Sequence, residues 1–168
     1  MKNDYNTSIT TTERQQMSQK VGGKHMSPEI IIMLTNNDIT VSNAEEVFES
    51  CKDLPAKKWG FKDVGLPKDE MIRLAKKMKE AGKETYIEVV TYTEEGCLEG
   101  AKLAYECGFD YLTGALPFDS VFQYAKEHHL KYSPFCGTVG GSPVALSGTM
   151  DEIVASAKAC KAISARTK

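Results

Sequence analysis

The chain has 168 residues, of which 41% are hydrophobic and 26% charged, and its formal net charge is −2. That length suits one domain with a sizeable core. The near-neutral balance gives no electrostatic case for nucleic acid or an anionic membrane as a partner, and no apolar run approaches the roughly 20 residues of a membrane helix.

Five cysteines (Cys51, Cys97, Cys107, Cys136 and Cys160) form no C-x-x-C pair. No apolar signal segment opens the chain, so they read as reduced thiols of a cytoplasmic protein. Cys51 and Cys160 fall on helical patterns and read as small hydrophobes. Only Cys136 falls where a site is expected.

Residues 1–26 are rich in Thr, Ser, Gln and Asn and show no period. They read as a disordered leader or an appended tail, which leaves residues 27–168 as a single α/β domain. In chain order, "EIIIML" is a short apolar, β-branched run and predicts a buried strand. "TNNDITV" follows as a loop. "SNAEEVFESCKD" has helical periodicity, with Ser42 and Glu45 spaced as a capping box. Strand "KWGFKDV" leads to helix "KDEMIRLAKKMKEAG", with Pro67 at its start and Gly82 at its end. Strand "TYIEVVT" leads to helix "EEGCLEGAKLAYECG". Strand "FDYLTGA" leads to the shorter helix "FDSVFQYAKEHH". Strand "KYSPFCG", a long Gly-rich loop, and helix "MDEIVASAKACKAI" close the series. Thr149 and Glu152 form a second capping box.

Five β/α units in succession predict a parallel sheet covered by helices. Two architectures meet that pattern. One is an open, doubly wound, flavodoxin-like sheet of five strands. The other is part of an eight-unit barrel, which takes about 250 residues when complete. Central strands of a doubly wound sheet are apolar on both faces, yet Lys62 and Glu88 interrupt the apolar runs here. Alternation puts Gly60, Lys62 and Val64 on one face, and groups Tyr86, Glu88 and Val90. Charges late in successive strands and on one face suit the mouth of a barrel, where active sites form. The expected fold is therefore an α/β chain of parallel βα repeats, a partial barrel.

"EIIIMLTNNDITVSNAEEVFE", "WGFKDVGLPKDEMIRLAKKMKEAGKETYIEVV" and "GAKLAYECGFDYLTGALPFDSV" together resemble the first four units of a phosphate-binding barrel of the aldolase and ribulose-phosphate-binding kind. "A-x-x-C-G-F-D-Y-L" is similar to a helix-to-strand passage common in those barrels. The likeness covers about Glu29 to Ile163. It implies a barrel that is incomplete at its C-terminal side, with five units where the family has eight.

Lys62, late in its strand, is the sharpest chemical candidate. A desolvated lysine there can polarise a carbonyl or form a Schiff base with it. Glu88 stands at matching depth one strand later and suits a general base. Asp63 either reaches the mouth or caps the following turn. Asn36, Asn37 and Asp38 close the first strand with groups that bind hydroxyls and also make Asx turns. Thr113 and Gly137, near the ends of the fourth and fifth strands, complete the expected substrate-binding set. Gly140, Gly141 and Ser142, in a Gly-rich stretch before a helix, are the phosphate-binding candidates. No spacing supports zinc, no nucleotide-cofactor motif is present, and no cofactor is expected. His128 and His129 are expected to cap a helix C-terminus.

The function expected from this reading is that of a lyase or isomerase acting on a small phosphorylated sugar or keto acid. The second reading is non-catalytic: a truncated barrel that self-associates or complements a partner. A homo-oligomer is expected in either case. A response-regulator-like binding module ranks last, because it would want clustered acids at the first strand end and only Asp38 stands there.

Overall fold

The computed structural model describes residues 28–166, so the expectation for residues 1–26 lies outside the described residues. In chain order the elements begin with β1 (Ile31–Met33), then β2 (Thr35–Asn36), β3 (Ile39–Thr40) and α1 (Ala44–Cys51). Next come β4 (Lys58–Lys62), α2 (Lys68–Glu80), β5 (Glu84–Val89), α3 (Glu94–Glu106), β6 (Tyr111–Gly114) and α4 (Asp119–Glu127). The last are β7 (Lys131–Ser133), β8 (Thr138–Gly140), β9 (Ala145–Ser147) and α5 (Met150–Arg166). No helix among the described residues is long and apolar enough to cross a membrane.

Strands β1, β4, β5, β6 and β7 lie side by side in that order, and every neighbouring pair is parallel. Strands that follow chain order, joined by right-handed crossovers, carry their helices on one face. A doubly wound sheet instead starts inside and reverses direction. The sheet is therefore open, as the flavodoxin-like alternative supposed, but it is singly wound, like an arc of barrel wall. No closed barrel forms among the described residues.

One apolar cluster fills the space between the arc and its helices. Trp59, Phe61, Ile87, Val89 and Leu112 supply the sheet side; Phe48, Leu74, Met78, Ala101 and Val121 supply the helices. Helix α2 shows why the chain folds this way. Met71, Leu74, Ala75 and Met78 recur at helical spacing and are its buried residues. Pro67 precedes the first turn, where no N–H is needed. Gly82, at φ +72°, ends the helix in the left-handed region, its N–H bonded to the Lys79 carbonyl. Helix α3 approaches β5 closely at Gly100, where a Cβ would lie 2.5 Å from Val89 Cγ1. The passage "CGFDYL" also has a local cause. Thr85 donates both its N–H and its hydroxyl to Asp110 Oδ2, each at 2.8 Å, and so pins the start of β6 to the start of β5.

Several local expectations change. The box expected at Ser42 and Glu45 does not form; Asn43 occupies the N-cap without a side-chain bond. Glu45 turns instead to the cations of α2, at 2.9 Å from Lys77 and 3.3 Å from Arg73. The box at Thr149 and Glu152 does form, with the Glu152 carboxylate accepting from Thr149 N–H at 2.7 Å and Thr149 Oγ1 accepting from Glu152 N–H at 3.3 Å. Strand β7 stops at Ser133, because Pro134 has no N–H to offer a ladder. "TNNDITV" is a hairpin rather than a loop: β2 pairs antiparallel with β3, and Asn37 (φ 50°) and Asp38 (φ 67°) make the two-residue turn. Both central residues at positive φ define a type I′ turn, which Asn and Asp tolerate. The Gly-rich stretch is likewise the antiparallel hairpin β8–β9.

Candidate functional site

Side chains on the face of the arc opposite the helices fall in rows fixed by strand register. Lys62, Glu88, Thr113 and Ser133 form the row nearest the C-terminal strand ends. Lys62 is only 6% exposed. Its backbone is held by Thr40, whose hydroxyl accepts from Lys62 N–H at 2.9 Å and donates to the Lys62 carbonyl at 2.8 Å. Thr40 belongs to β3, so the same clamp fixes the β2–β3 hairpin against β4. The hairpin turn thereby brings the Asp38 carboxylate onto the Lys62 ammonium as an ion pair. Glu88 Oε1 lies 3.7 Å from the same Nζ. A buried lysine is tolerated because two carboxylates share it.

One row deeper, Gly60 is flanked by Tyr86, which stacks on Tyr111 with ring centroids 4.4 Å apart. The Tyr86 hydroxyl donates to Glu84 Oε2 at 2.8 Å. Burial, then Glu84, pushes the Tyr86 phenol up. A Cβ at position 60 would lie 2.3 Å from the Tyr86 carbonyl oxygen, so glycine is required beneath this stack.

The segment after β7 covers the mouth. Asp38, Lys62 and Glu88 share a cavity of about 510 Å³ with Phe135, Cys136 and residues of the β8–β9 hairpin, including Val139 and Leu146. Tyr92, beyond β5, donates its hydroxyl to the Gly141 carbonyl at 2.7 Å and ties the hairpin tip to the neighbouring loop. The result is a polar floor of one lysine and two acids beneath an apolar wall. It sits at the C-terminal strand ends, where parallel βα architectures build their sites.

The other expected residues distribute unevenly. Thr113 is in the site row, but its hydroxyl donates to the Ile87 carbonyl at 2.9 Å. Asp63 is on the other side of the sheet end and accepts from Val90 N–H at 3.2 Å. Burial pushes its carboxyl up, against the Val90 hydrogen bond. It thus braces the passage out of β4 rather than joining Lys62. Asn36 and Asn37 are exposed on the hairpin and do not line the cavity. Gly137, at φ +83°, donates its N–H to Ser156 Oγ at 2.9 Å, so it links the lid to α5. Gly140, Gly141 and Ser142 stand at the tip of β8–β9, while α5 starts beyond the hairpin's other end, where Thr138 pairs with Ser147. The helix N-terminus that motivated a phosphate cradle is therefore not beside them. Glu152 occupies it. His128 packs against the rings of Tyr105 and Tyr124 at the end of α4, both at 4.2 Å.

Thr40, Phe135 and the apolar hairpin residues were not singled out from the sequence. The available signal was the alternation in "TVG" and "ALS" on either side of "GSPV", a hairpin pattern obscured by its glycines. No group of three or more His, Cys, Asp or Glu that could hold a metal occurs among the described residues. Neither protein-family models, nor curated proteins, nor solved structures give a match to this chain.

Proposed function

We propose that the cavity over Lys62 is the site of a lyase or isomerase acting on a small hydroxy-carbonyl compound, a keto acid or a sugar. The observation that carries this reading is a lysine 6% exposed, held between two carboxylates and facing a cavity. The likeness of the repeats to aldolase-type barrels points the same way. In the reaction, Lys62 passes a proton to Asp38. Its freed amine adds to the substrate carbonyl, Asp38 returns the proton to the departing hydroxyl, and water leaves as the protonated imine forms. Glu88 then takes the proton from the carbon next to the imine. If the substrate carries a phosphate, that group belongs away from Lys62, since the floor holds two acids against one lysine.

The test is borohydride trapping with a panel of small ketoses, aldoses and keto acids, followed by peptide mapping. Reduced adduct on the Lys62 peptide, absent in Lys62→Met, is the expected result. A ligand that protects the cavity without ever giving an adduct overturns the covalent step.

A second reading is favoured by the sheet edges. Among the described residues, strands β1 and β7 each pair on one side only, and Ile30 and Ile31 are 68% and 41% exposed. Unpaired edges invite another chain, so self-association is the alternative. Light scattering at low micromolar concentration tests it: a dimer or larger species supports it, and a sharp monomer ends it.

A further inference from the structure

Two thiols meet behind the cavity wall. Cys136 lies in the segment that leaves β7 and lines the cavity shared by Lys62 and Glu88, with its Sγ 3.7 Å from the Pro134 carbonyl. Its other neighbour is Cys160 of α5, with the two sulfurs 3.9 Å apart. A disulfide needs about 2.05 Å, a closure within reach of side-chain rotation and a small shift of one segment. Cys136 is half-buried, whereas Cys160 is 6% exposed. That asymmetry suits a pair in which one sulfur meets the oxidant and the other resolves the product. The remaining three cysteines are not so placed. Cys51, half-buried at the end of α1, has its sulfur 3.5 Å from Ser50 Oγ. Cys97 is buried between the Thr91 carbonyl and the Leu116 N–H, and Cys107 is buried in the helix-side core.

We infer that Cys136 and Cys160 form a reversible dithiol–disulfide site that fixes the lid segment to α5. The oxidant is a hydroperoxide. The Cys136 thiolate attacks the peroxide oxygen, giving a sulfenic acid and, with one proton, water (from hydrogen peroxide). The Cys160 sulfur then attacks the sulfenic sulfur, the S–S bond forms, and a second water leaves. Two thiols lose two electrons and two protons to one peroxide. An external dithiol reverses the change. The cross-link spans 24 positions that include the whole β8–β9 hairpin. It draws the Cys136 sulfur toward α5, reinforcing the bond that Gly137 already makes to Ser156. The lid over the site is thereby held in place when oxidised and freer when reduced. This inference rests on the thiol geometry alone, and holds whether or not Lys62 performs carbonyl chemistry.

The test uses the full chain, freed of reductant and treated with hydrogen peroxide. Lys158 lies between the two cysteines in sequence, so trypsin separates them and a non-reduced map reads the link directly. The expected result is a peptide pair joined through Cys136 and Cys160, with Cys97 and Cys107 still free. The melting temperature should rise by about 5 °C or more and fall back with dithiothreitol. In Cys160→Ser, Cys136 should instead accumulate as a sulfenic acid trapped by dimedone, with no rise. The inference is overturned if wild-type Cys136 and Cys160 remain free under peroxide, if Cys136 proceeds to sulfinic acid without a link, or if the link joins different molecules. The wild-type map decides the matter even if a serine variant folds poorly.

Discussion

The two faces of the arc use the same strands in opposite ways. Toward the helices, Trp59, Phe61, Ile87 and Leu112 are at most 1% exposed and pack in the apolar cluster, the indole N–H of Trp59 being answered by the Ala56 carbonyl at 2.9 Å. On the other face, alternate residues of the same strands give Lys58, Lys62, Glu84, Tyr86, Glu88 and Tyr111, held by ion pairs, hydroxyl bonds and ring stacking. The first face is stabilised by area removed from water, which is non-directional and insensitive to pH. The second depends on partners: each charge is tolerable because another group answers it, and loss of one partner exposes the cost of the rest. Stability belongs chiefly to one face and the proposed chemistry to the other.

The largest effect expected from breaking that division is on the apolar face. Trp59 packs edge-on against Phe48 at 5.3 Å and is 1% exposed. Trp59→Ala should cost about 4 kcal/mol, read as a urea midpoint shift. The loss should be the same at pH 5 and pH 7. A strong pH dependence would mean that the two faces are coupled in a way the packing does not explain.

Lys62→Met should cost somewhat less, about 2 to 3 kcal/mol. Removing one member of a fully buried pair costs about 3–5 kcal/mol, and Asp38 and Glu88 retain side-chain exposures of 19% and 23%. Unlike the Trp59 change, this loss should shrink when Lys62→Met is combined with Asp38→Asn and Glu88→Gln, which remove the two stranded charges. An undiminished loss in the triple variant would show that Lys62 acts through packing of its stem rather than through charge.

Asp110→Ala should cost about 2 kcal/mol, since it strips two charge-assisted bonds from Thr85. Burial pushes the Asp110 carboxyl up, but Thr85 and Lys79 outweigh it and the net shift is down. A depressed folded value means that its contribution is whole above the unfolded range near pH 4 and is lost as pH falls through the folded value. The variant's deficit, followed by denaturation along a pH series, should therefore narrow in acid.

How much of this was legible in the sequence follows from the same division. Apolar periodicity reports burial against helices, so the βα succession and the α2 core residues could be read directly. Strand alternation also put Lys62 and Glu88 on one face. What escaped depends on turns that redirect short strands. Asn37 and Asp38 read as polar loop residues, yet their paired positive φ values fold a hairpin that carries Asp38 back over Lys62. Thr40 carried no signal as a clamp, because its role is a backbone bond to a strand 22 positions on. The lid was hidden because glycines and a proline mask strands of three residues. For Asp63 the sequence left two readings open; its side chain follows the alternation past the end of β4 and so leaves the face of Lys62.

The smallest effect expected concerns that same Asp63, and it separates a bracing acid from a catalytic one. Its carboxyl sits against the end of β5, accepting from Val90 N–H, and burial raises its folded-state value. The unfolded value is about 3.9. Between that value and the raised one, the native state keeps a proton that the unfolded chain has released, so this group makes stability fall as pH rises across the window. Asp63→Asn retains an oxygen to accept from Val90 and removes the charge. The variant should thus be slightly more stable than the parent above the window, with the gap closing as pH drops below it. Denaturation midpoints at several pH values read both curves. If the variant is instead less stable at neutral pH, the carboxylate is making a bond that an amide cannot replace, and Asp63 belongs to the charged face after all.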